Sequence, residues 1–391
     1  MFQFTRLPPL SLYVHLPWCV RKCPYCDFNS HALNSHTLKD GLPEDAYVDA
    51  LLRDLEQNLP RVWGRRVISV FIGGGTPSLF SPEALDKLLS GMRARLSIQA
   101  DAEITLEANP GSAEQAKFRE YRALGINRLS IGVQSFQNEA LQRLGRIHGR
   151  AEAIKAAEMA HAAGFDNFNL DLMFALPQQT HDKASEDVAT AIDLEPSHIS
   201  YYQLTLEPNT LFHAQPPVLP DNDLTWAMQQ AGQGQLAKAG YAQYEVSAYA
   251  KEKHQCAHNL NYWQFGDYLG IGAGAHGKIT DASQQTITRL AKQRQPRTYM
   301  DSAGTPRGIQ SERPLTRQEV GLEFMMNALR LKEGFDTGLF IAHTGQQLSL
   351  VDKPLVQAEQ AGLLQRSARH IQATEKGQRF LDDLLALFVT E

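Results

Sequence analysis

The feature that most constrains this chain is a regular alternation of short apolar runs with longer amphipathic stretches, from about Leu12 to Tyr249. The longer stretches place apolar residues at the spacing of one helix face, and Ser81-Pro82-Glu83 is typical of a capped helix start. Strands that alternate with helices form parallel sheets, so we predict an α/β fold with a TIM-like, incomplete parallel barrel. The predicted strands are SLYVHL, VISVFI, AEITLEA, RLSIGVQSF, NFNLDLMFAL, HISYYQLTL and YEVSAYA.

The domain boundaries are predicted from the place where this alternation stops. The barrel domain is predicted to span residues 1–280, ending just after the glycine-rich segment DYLGIGAGAHG. Residues 281–312 are polar and contain several basic residues and prolines, which predicts a linker. In residues 313–391 the pattern predicts a mainly helical, winged-helix-like domain. No basic stripe marks it, so nucleic acid is not an expected partner.

Charge and hydropathy exclude several classes of protein. The 391 residues carry a formal net charge of −5, with no block of like charge typical of a nucleic-acid-binding arm. The first residues lack the features of a secretion signal, and no run of about 18 apolar residues occurs. Three of the four cysteines fall within eight positions, unlike a secreted disulfide framework. We therefore expect a cytoplasmic protein with reduced thiols.

The three clustered cysteines follow the first predicted strand in a C-x3-C-x2-C pattern formed by Cys19, Cys23 and Cys26. Such a loop can give one thiolate to each of three irons of a [4Fe–4S] cluster, leaving the fourth iron without a protein ligand. Barrel enzymes build their sites from loops at the carboxyl ends of strands, where this loop falls. The alternatives are three buried thiols, or a zinc site completed by His15 or His31. The second cysteine pair common in zinc sites is missing.

The cysteine loop and eight further segments carry a resemblance to a known family. The segments are YVHLPWCVRKCPYCDFNSH, IGGGTPSLF, LEANPG, SIGVQSF, RLGRIH, NLDLMFALP, YQLTLEPNT, HNLNYW and GIGAGAHG. On these segments the chain resembles radical S-adenosylmethionine (SAM) proteins of the HemN/HemW family along almost its whole length, and within that family the haem-chaperone branch. The resemblance implies that SAM is the ligand of the fourth iron.

The resemblance also implies further cofactor-binding residues. Those expected to contact SAM are Tyr13, Gly74, Gly75, Thr76 and Glu107, and those that match positions for a second SAM in the family's oxidase are Gln134, Arg146 and Asp171. Two alternatives stay open. Glu107 could be an ordinary solvated carboxylate at a strand end, and Arg146 with Asp171 could be a structural ion pair.

Two features separate the chain from the oxidase of this family. The oxidase has a further cysteine two residues after the third cluster cysteine, whereas Asp27-Phe28 follows Cys26 here, and the oxidase's N-terminal extension is missing. HNLNYW begins at His258 and matches the haem-chaperone branch, so His258 is a candidate axial ligand of haem. Cys256 is an alternative ligand, and the remaining possibility is that His258 only forms hydrogen bonds in a loop. His276 is near the family's last cofactor contact.

The implied function is that of a haem chaperone that holds haem, carries a [4Fe–4S] cluster with SAM, and passes haem to acceptor proteins such as membrane respiratory haemoproteins. The first alternative is an oxygen-independent coproporphyrinogen III oxidase, and the second is a radical enzyme with an unrelated substrate. Porphyrinogen oxidation is not expected, whereas cleavage of SAM stays open. The basic segment Arg289 to Arg297 is a candidate for contact with haem propionates or, peripherally, with the inner face of the membrane.

Overall fold

The computed structural model describes residues 2–33, 41–111 and 117–389. Its strands are β1 (Leu10–Leu16), β2 (Trp18–Cys19), β3 (His31–Ala32), β4 (Arg66–Gly74), β5 (Ser97–Ala108), β6 (Arg128–Gln134), β7 (Phe168–Phe174), β8 (His198–Gln203), β9 (Ala242–Glu245), β10 (Ala248–Ala250), β11 (Asp267–Ile271), β12 (His276–Asp281), β13 (Thr286–Lys292), β14 (Ile309–Pro314), β15 (Phe335–Asp336), β16 (Leu364–Arg366) and β17 (His370–Ala373). Its α-helices are α1 (Glu44–Val62), α2 (Pro82–Arg95), α3 (Phe118–Ala123), α4 (Asn138–Arg143), α5 (Arg150–Ala162), α6 (His181–Asp193), α7 (Leu211–Ala214), α8 (Asn222–Lys238), α9 (Ala257–Trp263), α10 (Pro296–Ser302), α11 (Arg317–Ala328), α12 (Thr337–Thr344), α13 (Asp352–Gln360), α14 (Glu375–Arg379) and α15 (Leu381–Ala386).

One large sheet carries the site. Among the described residues it has twelve strands in the order β14-β13-β12-β11-β1-β4-β5-β6-β7-β8-β10-β9. The run from β1 through β4 to β8 is parallel, and β11 adds a parallel strand on the other side of β1. All seven residues of β6 are buried, as expected for a strand covered on both faces. The predicted α/β fold with a mostly parallel sheet is confirmed.

The run YEVSAYA was predicted as a single strand, and this prediction is wrong. It contains parts of two short strands, β9 and β10, which pair antiparallel with each other. Ser247 lies in the turn between them, where its backbone N–H donates to the Glu245 carboxylate at 3.1 Å. An apolar run of this length does not reveal such a turn, because the reversal depends on a local side-chain hydrogen bond.

The segment 281–312, predicted as a linker, contains the whole of β13 and helix α10 and the first four residues of β14, and it extends the sheet from β12. Although this segment is polar, it contributes to a buried ion pair. Lys292 Nζ donates to Asp54 Oδ1 at 2.5 Å, and both side chains are only 2% exposed. Tyr299 OH donates to the same carboxylate at 2.8 Å. Lys292 can be buried here because a carboxylate from α1 neutralises its charge. The sequence of β13 alone gives no sign of a partner that lies on another element.

The C-terminal part is mainly helical, as predicted, with helices α11 to α15 around a small sheet of order β15-β17-β16. Its core contains Phe324, Phe335 and Phe340, and Phe265 from the preceding part packs edge-on against Phe324 with ring centroids 5.8 Å apart. This shared aromatic contact joins the two parts of the chain. None of the helices in the described ranges is long and apolar enough to cross a membrane.

Candidate functional site

The cysteine loop leaves the carboxyl end of β1 and is held against the next strand's turn. The backbone N–H of Gly75 donates to Leu16 O, and that of Thr76 donates to Trp18 O, both at 2.8 Å. Cys19, Cys23 and Cys26 are partly exposed and line one cavity of about 400 Å³. The fold therefore collects three thiols at the edge where α/β proteins bind their ligands.

Each of the three thiols has a polar neighbour. Thr76 Oγ1 donates to Cys19 Sγ at 3.6 Å, Arg146 Nη1 donates to Cys23 Sγ at 3.8 Å, and the Ser30 hydroxyl lies 3.7 Å from Cys26 Sγ. Burial raises the pKa of the Cys19 thiol to about 11 and also raises that of Cys26. Hydrogen-bond donors directed at sulfur oppose this shift and suit thiolates that ligate a metal.

The donor set fits an iron–sulfur cluster better than a zinc ion completed by His15. Both ring nitrogens of His15 are already engaged, Nδ1 by the Tyr13 hydroxyl at 2.9 Å and Nε2 by Asn29 O at 3.0 Å. Within residues 2–33, 41–111 and 117–389, no three His, Cys, Asp or Glu side chains are grouped closely enough for one metal ion. The three thiols instead face a common space.

The GGGTP turn requires glycine because other atoms approach its backbone closely. A Cβ on Gly75 would lie 2.5 Å from Trp18 O, and Gly74 has φ +124 with the His15 ring 2.7 Å from its Cβ position. The Gly74 N–H donates to Glu107 Oε2 at 2.9 Å, so Glu107 faces the turn. Burial raises the pKa of Glu107 to about 7, and the nearby charge of Asp171 adds to this shift.

Gln134, Arg146 and Asp171 line the same cavity, whereas Tyr13 lies in the wall of a second, adjoining cavity. Arg146 Nη2 donates to Asn109 Oδ1 and to Gly132 O, each at 2.6 Å. The Tyr202 hydroxyl donates to Gln134 Oε1 at 2.7 Å, and Asn169 Nδ2 donates to Asp171 Oδ1 at 2.7 Å. Arg146 and Asp171 form no ion pair in the part of the chain that is described, so the structural-pair alternative gains no support.

A second and larger cavity of about 890 Å³ adjoins the first and shares Phe28, Phe71, Gly74, Glu107 and Asn259 as walls. Its further lining is rich in aromatic side chains and includes Tyr13, His258, Tyr262, Trp263, Tyr268 and His276. A cavity of this size is typical of a site for a large organic ligand.

His258 lies in the wall of this second cavity and is 9% exposed. Its Nδ1 lies 3.2 Å from the Ser69 hydroxyl, and its ring packs on Phe71 with centroids 5.1 Å apart. Burial lowers the pKa of His258 to about 3, and nearby Arg128 contributes, so the imidazole is neutral at neutral pH. A neutral imidazole with one nitrogen held by a hydrogen bond is the form that ligates metals.

Cys256, the alternative haem ligand, is fully buried and does not line either cavity. Its thiol donates to Glu103 Oε1 at 3.3 Å, and burial raises its pKa to about 12. The same carboxylate accepts from the backbone N–H groups of Ala257 at 3.1 Å and His258 at 3.2 Å. Glu103 thus fixes the start of α9, which carries His258.

Sequence reasoning missed several residues of the two cavities, notably Asn109, Tyr25, Phe71 and Arg128. Asn109 lies in the LEANPG segment, so its motif was recognised but its side chain was not assigned. Arg128 is 2% exposed, and its Nε has no hydrogen-bond partner among the described residues and lies 3.9 Å from Glu103 Oε2. A buried arginine at a strand start has no local sequence signal, since its partners come from other strands.

Glu107 is expected to give the cofactor-free protein a distinctive pH dependence. Its pKa is raised from 4.5 to about 7, so the folded state binds a proton more tightly than the unfolded chain does. The free energy of unfolding should therefore fall as pH rises from 4.5 to about 7. Urea unfolding at pH 5 and pH 8 measures this, with Glu107→Gln as the control that lacks the titrating group. An equal fall in wild type and Glu107→Gln would refute the assignment to Glu107.

Together, a mostly parallel α/β sheet and a three-cysteine loop at the end of its first strand define the radical SAM class of protein. The family model of the Radical SAM superfamily matches residues 13–191, and that of the HemN C-terminal domain matches residues 315–380.

Comparison with individual proteins identifies the family within this class. Heme chaperone HemW of Escherichia coli (strain K12) is 52% identical over 387 residues, which cover 99% of this chain and 100% of that protein. Heme chaperone HemW of Haemophilus influenzae is 48% identical over 392 residues, 99% of each chain. The structure of coproporphyrinogen III oxidase (HemN) from Escherichia coli matches with a TM-score of 0.80 and 25% identity, covering 98% of this chain and 91% of that one. The chain belongs to the HemW family of radical SAM proteins.

Proposed function

We propose that this protein is a haem chaperone that binds haem in the aromatic cavity beside the cysteine loop and passes it to acceptor haemoproteins. The observation that carries the proposal is the cavity of about 890 Å³ with His258 in its wall. Its aromatic walls suit a flat macrocycle, and the names of the HemW relatives give haem as the cargo.

Cys19, Cys23 and Cys26 are the proposed ligands of a [4Fe–4S] cluster, which membership of the radical SAM superfamily implies together with SAM. We propose that Tyr13, Gly74, Gly75, Thr76 and Glu107 hold SAM. Four of these residues line the cysteine cavity together with Gln134, Arg146 and Asp171, whereas Tyr13 lines the adjoining larger cavity. When bound, this cofactor pair supplies an electron that can cleave a sulfonium carbon–sulfur bond, a step that haem transfer does not require.

His258 is the proposed axial ligand of haem, and the propionates have a candidate partner at the cavity wall. Arg294 is exposed, lines the cavity and forms no ion pair within the described ranges. By contrast Arg289 is bound to Glu323 at 2.6 Å, and Lys292 to Asp54 at 2.5 Å. The charges of Arg289 and Lys292 are therefore neutralised by carboxylates of the chain, while that of Arg294 is not. A single unpaired cation at the cavity wall suits contact with a haem propionate better than contact with a membrane surface. Peripheral membrane contact and membrane respiratory acceptors stay predictions.

Porphyrinogen oxidation is the competing function, favoured by the structural likeness to HemN. Phe28 argues against it. This side chain is 59% exposed on the walls of both cavities and stands at the position where the oxidase pattern has its additional cysteine, so the chain lacks that thiol.

An anaerobic assay separates the two functions. Cluster-reconstituted protein is incubated with dithionite, SAM and coproporphyrinogen III, and a second portion of the sample is titrated with haem. We expect haem binding and no protoporphyrinogen. Porphyrinogen turnover without stable haem binding would instead identify an oxidase.

A further inference from the structure

A third cavity, of about 440 Å³, is lined by residues of α8, of the edge strand β9 and of the C-terminal domain. We call it the basic cleft, because its walls include Lys332, Lys376 and Arg379. Trp226 and Phe380 contribute aromatic surface, and the rest of the lining consists of several glutamines, Val246, a fourth cation (Arg330) and two carboxylates (Glu245 and Glu375). No residue of the cysteine loop or of the HNLNYW motif lines it.

Three of the four cations that line the basic cleft, Lys332, Lys376 and Arg379, form no ion pair within the described residues. Lys332 Nζ donates to the amide oxygen of Gln378 at 2.5 Å, and Lys376 Nζ donates to Ala361 O at 2.9 Å. The guanidinium of Arg379 lies 4.2 Å from the ring centroid of Trp226 and forms no ion pair. The cleft is lined by four cations and two carboxylates, and one of these carboxylates, Glu245, is paired with Arg330. The lining therefore has an excess of positive charge on a chain whose formal net charge is −5. Such a local reversal of charge attracts and orients an anionic partner.

The size and chemistry of the cleft favour a peptide over a single small anion. Its volume of about 440 Å³ is much larger than one inorganic anion requires, and its cations come from two separate segments of the C-terminal domain. The glutamine amides can donate to and accept from a peptide backbone, while the cations pair with carboxylates. An extended segment rich in Asp or Glu matches both sets of groups.

Arg330 connects the basic cleft with the haem cavity. Its Nη2 donates to Glu245 Oε2 at 3.1 Å on the cleft side, and its guanidinium lies 4.4 Å from the ring centroid of Trp263. Trp263 is part of the haem-cavity wall. A ligand carboxylate in the cleft would compete with Glu245 for Arg330 and so change the packing against Trp263.

We propose that the basic cleft binds an acidic segment of the haem acceptor, and that Arg330 and Trp263 transmit its binding to the haem cavity. The identity of the partner as a haem acceptor rests on the proposed function, whereas the acidic-peptide site does not.

The site is tested on the full-length, haem-free chain with a fluorescently labelled octaglutamate peptide, followed by anisotropy. We expect saturable binding that weakens with salt and becomes about ten-fold weaker in Lys376→Gln/Arg379→Gln. The matched control is Lys353→Gln/Arg369→Gln, which removes the same charge from exposed positions of the same domain outside the cleft. Equal weakening in both double variants, or no saturable binding, would overturn the site.

The link to haem is tested on the haem-loaded chain by adding the same peptide and recording the Soret band. We expect the band to shift in wild type and in the matched control, but not in Lys376→Gln/Arg379→Gln. Peptide binding that leaves the band unchanged overturns the link. If the chain bound no haem, the proposed function would fail while anisotropy still reported on the cleft, so the two failures are distinguishable.

Discussion

Replacing Cys19, Cys23 or Cys26 by Ser is expected to abolish the reconstituted cluster while the chain stays folded. Serine removes the soft thiolate that iron–sulfur clusters require, and two remaining ligands cannot hold three irons. The loop itself should survive, because backbone hydrogen bonds from Gly75 and Thr76 hold it. The measurements are bound iron, visible absorbance after anaerobic reconstitution, and far-UV circular dichroism for the fold.

Cys256→Ser is the matched control for this experiment. Cys256 is the other cysteine of the chain, is fully buried, and is bonded to Glu103 rather than to the cluster cavity. The Cys256→Ser variant should therefore reconstitute a full cluster. A full cluster in any of the three loop variants would remove that cysteine from the ligand set, and loss of the cluster in Cys256→Ser alone would place the site elsewhere.

Replacing His258 by Ala is expected to change the haem spectrum and to weaken haem binding by about ten-fold or more, since the axial iron–nitrogen bond is lost. Ser69 holds the ring through Nδ1, which leaves Nε2 as the nitrogen available to iron. The measurements are the Soret position and the dissociation constant from a haem titration. Cluster absorbance should be retained, because His258 does not line the cysteine cavity.

Two control variants make this result interpretable. His276→Ala removes a more exposed histidine from the wall of the same cavity, and Cys256→Ser removes the alternative ligand. Both are expected to keep the wild-type Soret position. An unchanged spectrum in His258→Ala would rule out axial ligation by His258, and a changed spectrum in His276→Ala would transfer the assignment to that residue.

The sequence alone was sufficient to predict the α/β class, the parallel strands, the helical C-terminal domain and the family. The spacing of apolar residues in strands and helices is a local property of the sequence. The cysteine spacing and the GGGTP and HNLNYW segments are likewise each contained within a short stretch of residues. The helix start at Ser81 illustrates this, because its cap is a bond from the Ala84 N–H to the Ser81 hydroxyl, three residues away.

Only the tertiary structure decided the properties that depend on partners distant in the chain. The polar segment after 281 belongs to the sheet because Asp54, more than two hundred residues away, neutralises Lys292. Cys256 lies outside both cavities, where its thiol is bonded to Glu103. The basic cleft forms where residues of α14 and α8 come together. A sequence pattern reports which side chains are available, but burial and charge pairing are set by contacts between elements, and these determined which side chains face a cavity.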